Sequence, residues 1–352
     1  MSSTSPFKLL DAYEKGDTAR YFGRKREVAQ LYNAVFASRL TLLYGASGTG
    51  KTSLIRCGLE NKFYDTDWLP LFIRRNQDIN ASLRTVLQDA AEGTETDTAW
   101  SPEEGILHLY RQYFKTIYLI FDQFEELFIE GKADEQARFY QDIRDLLQSD
   151  RQVKVLLVMR EEWLGHLNAF ERVVPGLFDN RVRIERMREQ MLLRSVIPGM
   201  VRAAGITLLE PKHTVPRIIQ QIEDPRDGVD LADLQVYLDR MYRRAAADGG
   251  SPVQFDPALV EKVGEIKNVL SVFLEEQMQD LENKLKATFA LPDASSIPLD
   301  ILFTLVTNDR TKRSQSLEEI LEQMPEKTGV SREIVEYCLR QMQEMRLLNA
   351  IL

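Results

Sequence analysis

Residues 45 to 52 read Gly-Ala-Ser-Gly-Thr-Gly-Lys-Thr, a full G-x-x-x-x-G-K-[ST] spacing. The chemistry this spacing suits is phosphate binding. Gly45, Gly48 and Gly50 let the backbone take torsions that other residues resist, and let it approach a phosphate closely. The loop amides, from Ala46, Ser47 and Thr49 through to Ser53, then point inward where a helix begins, and the helix dipole favours an anion there. Lys51 can reach the β- and γ-phosphates, and Thr52 can ligand Mg²⁺. At ordinary glycine usage the spacing arises by chance in roughly one chain in a hundred of this length. ATP or ADP is the expected ligand, with Mg²⁺.

A second set of groups lies further along. The apolar run Ile117 to Phe121 ends on Asp122. A carboxylate at the C-terminal end of a buried strand, beside the phosphate strand, suits a Walker B aspartate that holds Mg²⁺ through water. Gln123-Phe124-Glu125-Glu126 follows. Either glutamate can polarise an attacking water as a general base. The plainer reading is that both open a helix, where acids suit the dipole. Glu125 is the favoured candidate for a role, and the spacing alone does not choose the base.

Val153 to Met159 is another apolar run, ending on Arg160. A strand placed between the phosphate strand and the Asp122 strand would put Arg160 near the γ-phosphate, where a charge-assisted contact can sense it. Otherwise Arg160 pairs with Glu161 or Glu162. Upstream of the loop, Phe22-Gly23-Arg24 forms an aromatic-Gly-Arg turn. Such a turn often lies beside the adenine in P-loop ATPases. Its simpler role is to start a helix.

These residues need a sheet to position them. Strand candidates are 40–44, 68–73, 117–122, 153–160 and 181–184, spaced by helical stretches. The alternation predicts an α/β fold, a P-loop NTPase parallel sheet with helices on both faces. Residues 1–22 read as an N-terminal arm and 23–188 as the P-loop core. Polar residues 92–102 interrupt the helical stretch 76–115 and are the expected flexible loop of this half.

From Glu189 the pattern turns helical. Residues 189–250 read as a helical lid domain, with helices over 189–204, 213–222 and 231–246 and a breaker at Gly249-Gly250-Ser251-Pro252. Apolar positions through Phe289 form one continuous helical stripe from Glu261, so 251–290 reads as a linker helix. A coiled-coil dimer is the alternative, and the stripe is short for one. Three helices over 299–306, 316–324 and 331–345, then a strand start at 346–352, suggest a winged-helix domain over 291–352. It would stop at the first strand of the wing with an unpaired edge. The expectation is therefore a truncated domain, a fragment of a longer protein or one whose end is disordered or removed.

Composition excludes several classes. The net charge of −9 argues against a globally basic nucleic-acid surface. Cys57 and Cys338 are the only cysteines and fit no metal or redox spacing, so a reducing, cytoplasmic compartment is expected. His108, His166 and His213 are scattered. No apolar run reaches membrane-spanning length and no signal peptide opens the chain, so no membrane partner is expected.

Together, Phe22-Gly23-Arg24-Lys25-Arg26-Glu27, the loop Gly45 to Thr52 with Ser53 to Leu59, and Asp122 to Phe128 resemble the STAND NTPases. More narrowly, they are similar to the bacterial "novel STAND" branch, as is Leu305 to Arg313. The resemblance implies signal-transducing ATPases that rest as ADP-bound, closed monomers. A trigger read by a sensor region allows ATP exchange and oligomerisation, and an attached effector then acts, in bacteria often against phage. It implies phosphate and Mg²⁺ roles for Lys51 and Thr52, Mg²⁺ orientation by Asp122, the second acidic position for Glu125, and the sensor role for Arg160. The partners it implies are further copies of the chain and sensor and effector parts outside it, with slow, regulatory hydrolysis. One departure stands out. The family often carries Leu-Pro-Leu-Leu-Gln in its helical domain, and here Leu231-Ala232-Asp233-Leu234-Gln235 replaces the proline with Ala232. The alternative is a DNA-associated AAA+ ATPase of origin-binding or transposition-helper type, supported by Arg310, Lys312, Arg313 and Arg332 and less favoured by the acidic charge.

Overall fold

Four apolar runs and the alternating stretch Arg181–Arg183 become five parallel strands. In the computed structural model, which describes residues 5–91, 100–224, 228–249, 252–289, 297–305, 317–324 and 330–344, these are β1 (Leu40–Gly45), β2 (Trp68–Ile73), β3 (Thr116–Phe121), β4 (Val153–Arg160) and β5 (Arg181–Arg183). Their order across the sheet is β2-β3-β4-β1-β5. So β4 does lie between the phosphate-loop strand and the Asp122 strand. The β1–β4 register pairs Gly45 with Arg160.

Both faces of the sheet are covered, which is why the strands read as near-continuous apolar runs. Leu42 faces one core, with Phe121, Phe124, Phe139 and Phe170. Leu43 faces the other, with Val28, Leu31, Ile55 and Leu59. The helices that supply these layers are α1 (Lys25–Ala37), α2 (Lys51–Ser53, continued by a π-helical segment Leu54–Leu59), α3 (Ile79–Asp89), α4 (Pro102–Tyr113), α5 (Glu126–Ile129), α6 (Ala133–Gln148) and α7 (Asn168–Val173). Local signals set their starts. Asp78 accepts the Asn80 and Ala81 N–H groups at the head of α3, and Ser101 and Glu104 form a reciprocal capping box on α4. The expected flexible loop lies mostly outside the described residues.

The helical region follows as α8 (Glu189–Met191, continued by a π-helical segment Leu192–Val196), α9 (Ile197–Ala203), α10 (Pro211–Ile222), α11 (Leu231–Ala247) and α12 (Pro257–Val263). A small parallel pair, β6 (Thr207–Leu208) with β7 (Gln254–Phe255), ties it together.

The chain divides into two compact units, Met1–Val263 and Gly264–Leu352. The expected single helix from Glu261 to Phe289 is in fact two. α12 ends at Val263, Gly264 takes a left-handed φ of +77°, and α13 (Ile266–Phe289) begins two residues later. Apolar periodicity runs across this break, but a glycine in that conformation is a helix stop. Met278, Leu281 and Leu285 of α13 pack with Ile301 of α14 (Ile297–Thr304), Ile320 of α15 (Leu317–Gln323) and Val335 and Cys338 of α16 (Arg332–Glu344). The second half of the stripe is thus spent inside the terminal unit. The strand start at 346–352, on which the winged-helix expectation turns, lies outside the described residues. Among the described residues no helix is long and apolar enough to cross a membrane.

Candidate functional site: a phosphate loop between sheet and helical region

The loop 46–50 leaves β1 and enters α2 with two glycines in left-handed backbone, Gly48 at φ +71° and Gly50 at φ +81°. Side chains resist that region, so both positions need glycine. Gly45 is needed for space instead, since a Cβ there would strike the Ile184 carbonyl oxygen. Lys51 folds back over the loop and donates from Nζ to the carbonyls of Gly45 and Ala46, at 2.8 and 2.9 Å. Burial lowers the Lys51 pKa, and the charge of Glu125 opposes that shift. A phosphate arriving in the loop would offer this ammonium a stronger, charged acceptor than two carbonyls.

Asp122 stands at the end of β3. Thr52 donates its hydroxyl to the Asp122 carboxylate, 3.1 Å to Oδ2 and 3.4 Å to Oδ1. A hydroxyl and a carboxylate side by side are oxygen donors of the kind Mg²⁺ prefers. That donor set fits the ion, with the remaining positions left to phosphate and water.

Gln123 turns the chain with a positive φ of 59°. Phe124 then plugs into the aromatic core, 2% exposed, and its N–H donates to the Val158 carbonyl at 2.8 Å. That anchor aims Glu125 along β4. Arg160 donates its backbone N–H to Glu125 Oε2 at 3.2 Å, and its guanidinium Nε lies 3.1 Å from Oε1. Arg160 thus pairs with Glu125 rather than with Glu161, which pairs with Arg183 at 2.9 Å. Burial raises the Glu125 pKa against the opposing charge of Arg160. Glu126 is pushed up to about 7, first by burial and further by Glu125, while Arg74 opposes the shift. The two acids therefore differ: Glu125 is held, and Glu126 titrates near neutrality.

Arg74 joins these groups although no motif marks it. It follows β2, the strand beside β3, and lies 3.6 Å from Asp122 Oδ2. The signal for it was available: a charged residue directly after a buried strand. The strand order needed to place it was not. Its neighbour Arg75 is buried and pairs with Glu135 and Glu130, at 2.8 and 3.1 Å, which fastens the end of β2 to the segment after Glu126.

The Phe22-Gly23-Arg24 turn joins the loop to the helical region. Arg24, 3% exposed, donates to the Thr49 carbonyl at 2.9 Å and the Glu185 carbonyl at 3.0 Å, and pairs with Glu27. Gly23 has a φ of +85°, and a Cβ there would lie 2.6 Å from Val196 Cγ2. The Phe22 ring packs on Gly199 of α9. The stretch Leu231 to Gln235 sits on the other side of the loop. Leu231 donates its N–H to the Gly48 carbonyl at 3.4 Å. Gln235 accepts the Lys8 N–H at 3.2 Å and donates to the Tyr13 hydroxyl, while Tyr13 donates its N–H to Ser53 Oγ at 3.1 Å. The N-terminal segment, α2 and α11 are thus linked. The sequence-derived site residues from Phe22 to Ser53, with Asp122, Glu125, Glu126 and Arg160, all belong to the unit Met1–Val263.

The chain matches the family described as Novel STAND NTPase 1 over residues 6–350. It belongs to that family. As a novel STAND NTPase it is a nucleoside triphosphate hydrolase on a P-loop fold. Among solved structures it is similar to the ORC2 protein of Aeropyrum pernix in its ADPNP–ADP complexes, at 13% identity and a TM-score of 0.54, covering 96% of this chain and 100% of that one. It is similar to a Walker-type ATPase of Pyrococcus abyssi, at 15% identity and 0.51, covering 97% and 93%. It is also similar to the Aeropyrum pernix ORC1 protein in complex with DNA, at 15% and 0.50, covering 93% and 84%. At these identities the likeness concerns the fold. No curated protein matches the chain.

Proposed function

We propose that this novel STAND NTPase is an ATP/ADP switch module that rests closed with ADP and assembles with further copies of itself when ATP replaces it. The observation that carries this reading is the Glu125–Arg160 pair, set beside the phosphate loop by the pairing of Gly45 with Arg160. With a diphosphate bound, Arg160 stays on Glu125. A γ-phosphate beside Gly45 competes for the guanidinium and frees the carboxylate. Loop amides and Lys51 hold the phosphates. Thr52 and Asp122 would hold Mg²⁺, which supplies charge neutralisation across the phosphates. Glu126, with Glu125, orients and deprotonates the attacking water. Hydrolysis is slow because Glu125 becomes available only after the γ-phosphate has drawn Arg160 off it.

Phe22, Gly23 and Arg24 would border the adenine, and 189–250 acts as the lid. A winged-helix domain over 291–352, sensor and effector parts outside the chain, a cytoplasmic setting and a role in antiphage signalling complete the reading. The test is molar mass by light scattering with ADP and with a non-hydrolysable ATP analogue. Mass should rise only with the analogue, and Lys51→Ala should abolish the rise. Equal assembly by that variant would sink the proposal.

The DNA-associated reading has less behind it. Arg332 is engaged by Glu318 and Glu336, at 3.0 and 2.9 Å, and the other three basic residues lie outside the described residues. Duplex binding with a steep salt dependence would revive it.

A further inference from the structure

The first turn of α11 brings a carboxylate onto the phosphate loop. Asp230 caps this 17-residue helix, accepting the Ala232 N–H at Oδ1, 2.8 Å away. The same carboxylate rests against Gly48, so closely that a Cβ on Gly48 would overlap both of its oxygens. Leu231 Cδ1 lies 3.4 Å from the corresponding position on Gly50. The acid therefore faces the loop that gathers phosphate.

Nothing in the capping role requires a charge there, since Asn and Ser cap as well as Asp. Among the described residues no cation forms an ion pair with Asp230. Arg186 stands by Gly228, and its charge acts on Asp233. The Asp233 carboxyl is pushed up to about 6, by burial first and by the charge of Asp230 second.

We infer that Asp230 is a specificity-determining residue that sets the preference of the site between diphosphate and triphosphate by repelling phosphate charge. Like charges at close range repel more strongly away from bulk water. ATP brings more negative charge to the loop than ADP, so the carboxylate penalises ATP more. The lid closed on the loop then favours ADP, and ATP binding drives the head of α11 off Gly48. The inference rests on the nucleotide reading above.

The test is the pair of dissociation constants for ADP and for a non-hydrolysable ATP analogue, with Mg²⁺, on the full chain and on Asp230→Asn. Asn keeps the cap and removes the charge. The ratio Kd(ATP analogue)/Kd(ADP) should fall about tenfold in the variant, and the difference should shrink in high salt. Asp230→Ser is the second neutral cap and should lower the ratio in the same way. Should Asp230→Asn fail to fold, the serine variant decides. An unchanged ratio in a folded variant, including equal changes in both constants, overturns the inference and leaves the nucleotide site standing. Failure of the unmodified chain to bind either nucleotide overturns the nucleotide reading, and this inference with it.

Discussion

Arg160 holds Glu125 twice, through its backbone N–H at 3.2 Å and its guanidinium Nε at 3.1 Å. Glu125 is 4% exposed, so the carboxylate has given up water for these contacts. A buried charge stripped of its partner is costly. Arg160→Ala should destabilise the fold by about 1–3 kcal/mol at neutral pH. The sign with pH follows from the direction of the Glu125 shift. Its folded pKa is raised, so proton uptake favours the native state, and stability falls as pH rises through the folded value. The Arg160→Ala penalty should shrink in acid, where Glu125 is neutral. Denaturant melts at acidic and neutral pH measure this, and Glu125→Gln in the same chain should recover part of the loss.

Glu126 gives a separate pH signature. Its carboxyl titrates at about 7 because burial disfavours the charged form. If it takes the proton from water, ATP turnover rises with pH through about 7 as the carboxylate forms. Glu126→Gln should remove that limb and lower turnover by roughly 10²-fold or more. Arg74→Ala should move the limb to higher pH, because the cation that favours ionisation is gone. A profile that stays put in Arg74→Ala would remove Arg74 from this account.

Arg24 ties the turn before α1 to the carbonyls of Thr49 and Glu185. Arg24→Ala strands both acceptors and should cost about 2–4 kcal/mol. Lysine cannot reproduce the planar fork, so Arg24→Lys should recover less than half of that. Thermal unfolding of the two variants beside the unmodified chain checks both figures.

Phe124 anchors the turn between Asp122 and Glu125. Phe124→Ala should cost about 3–5 kcal/mol, as other large aromatic truncations in cores do. It should lower turnover more than Phe124→Leu, which keeps most of the plug. Equal turnover in the two folded variants would separate the anchor from the chemistry.

Much of this was legible in the sequence because the signals are local. Glycine at 45, 48 and 50, an acid ending the run at Asp122, and a basic residue ending the run at Arg160 each mark a strand end, and strand ends are where the loop chemistry gathers. Strand order was inferable for Arg160 from the chemistry it would serve. What was not legible depends on partners distant in sequence. Arg160 could be placed near the loop, but not on Glu125 in preference to Glu161, because Arg183 claims Glu161 from another strand. Arg74 matters only once β2 is seen beside β3. The approach of Asp230 to Gly48 likewise depends on α11 lying against a loop far away in sequence. Gly264 sits within an apolar stripe that hides the stop it makes.

The most direct test of the switch account is the nucleotide the protein carries. The purified chain is denatured, and the released nucleotide is identified and quantified by chromatography. The account predicts ADP at close to one per chain, and little in Lys51→Ala. An empty site that exchanges nucleotide freely would contradict a locked resting state and leave a cycling ATPase in its place.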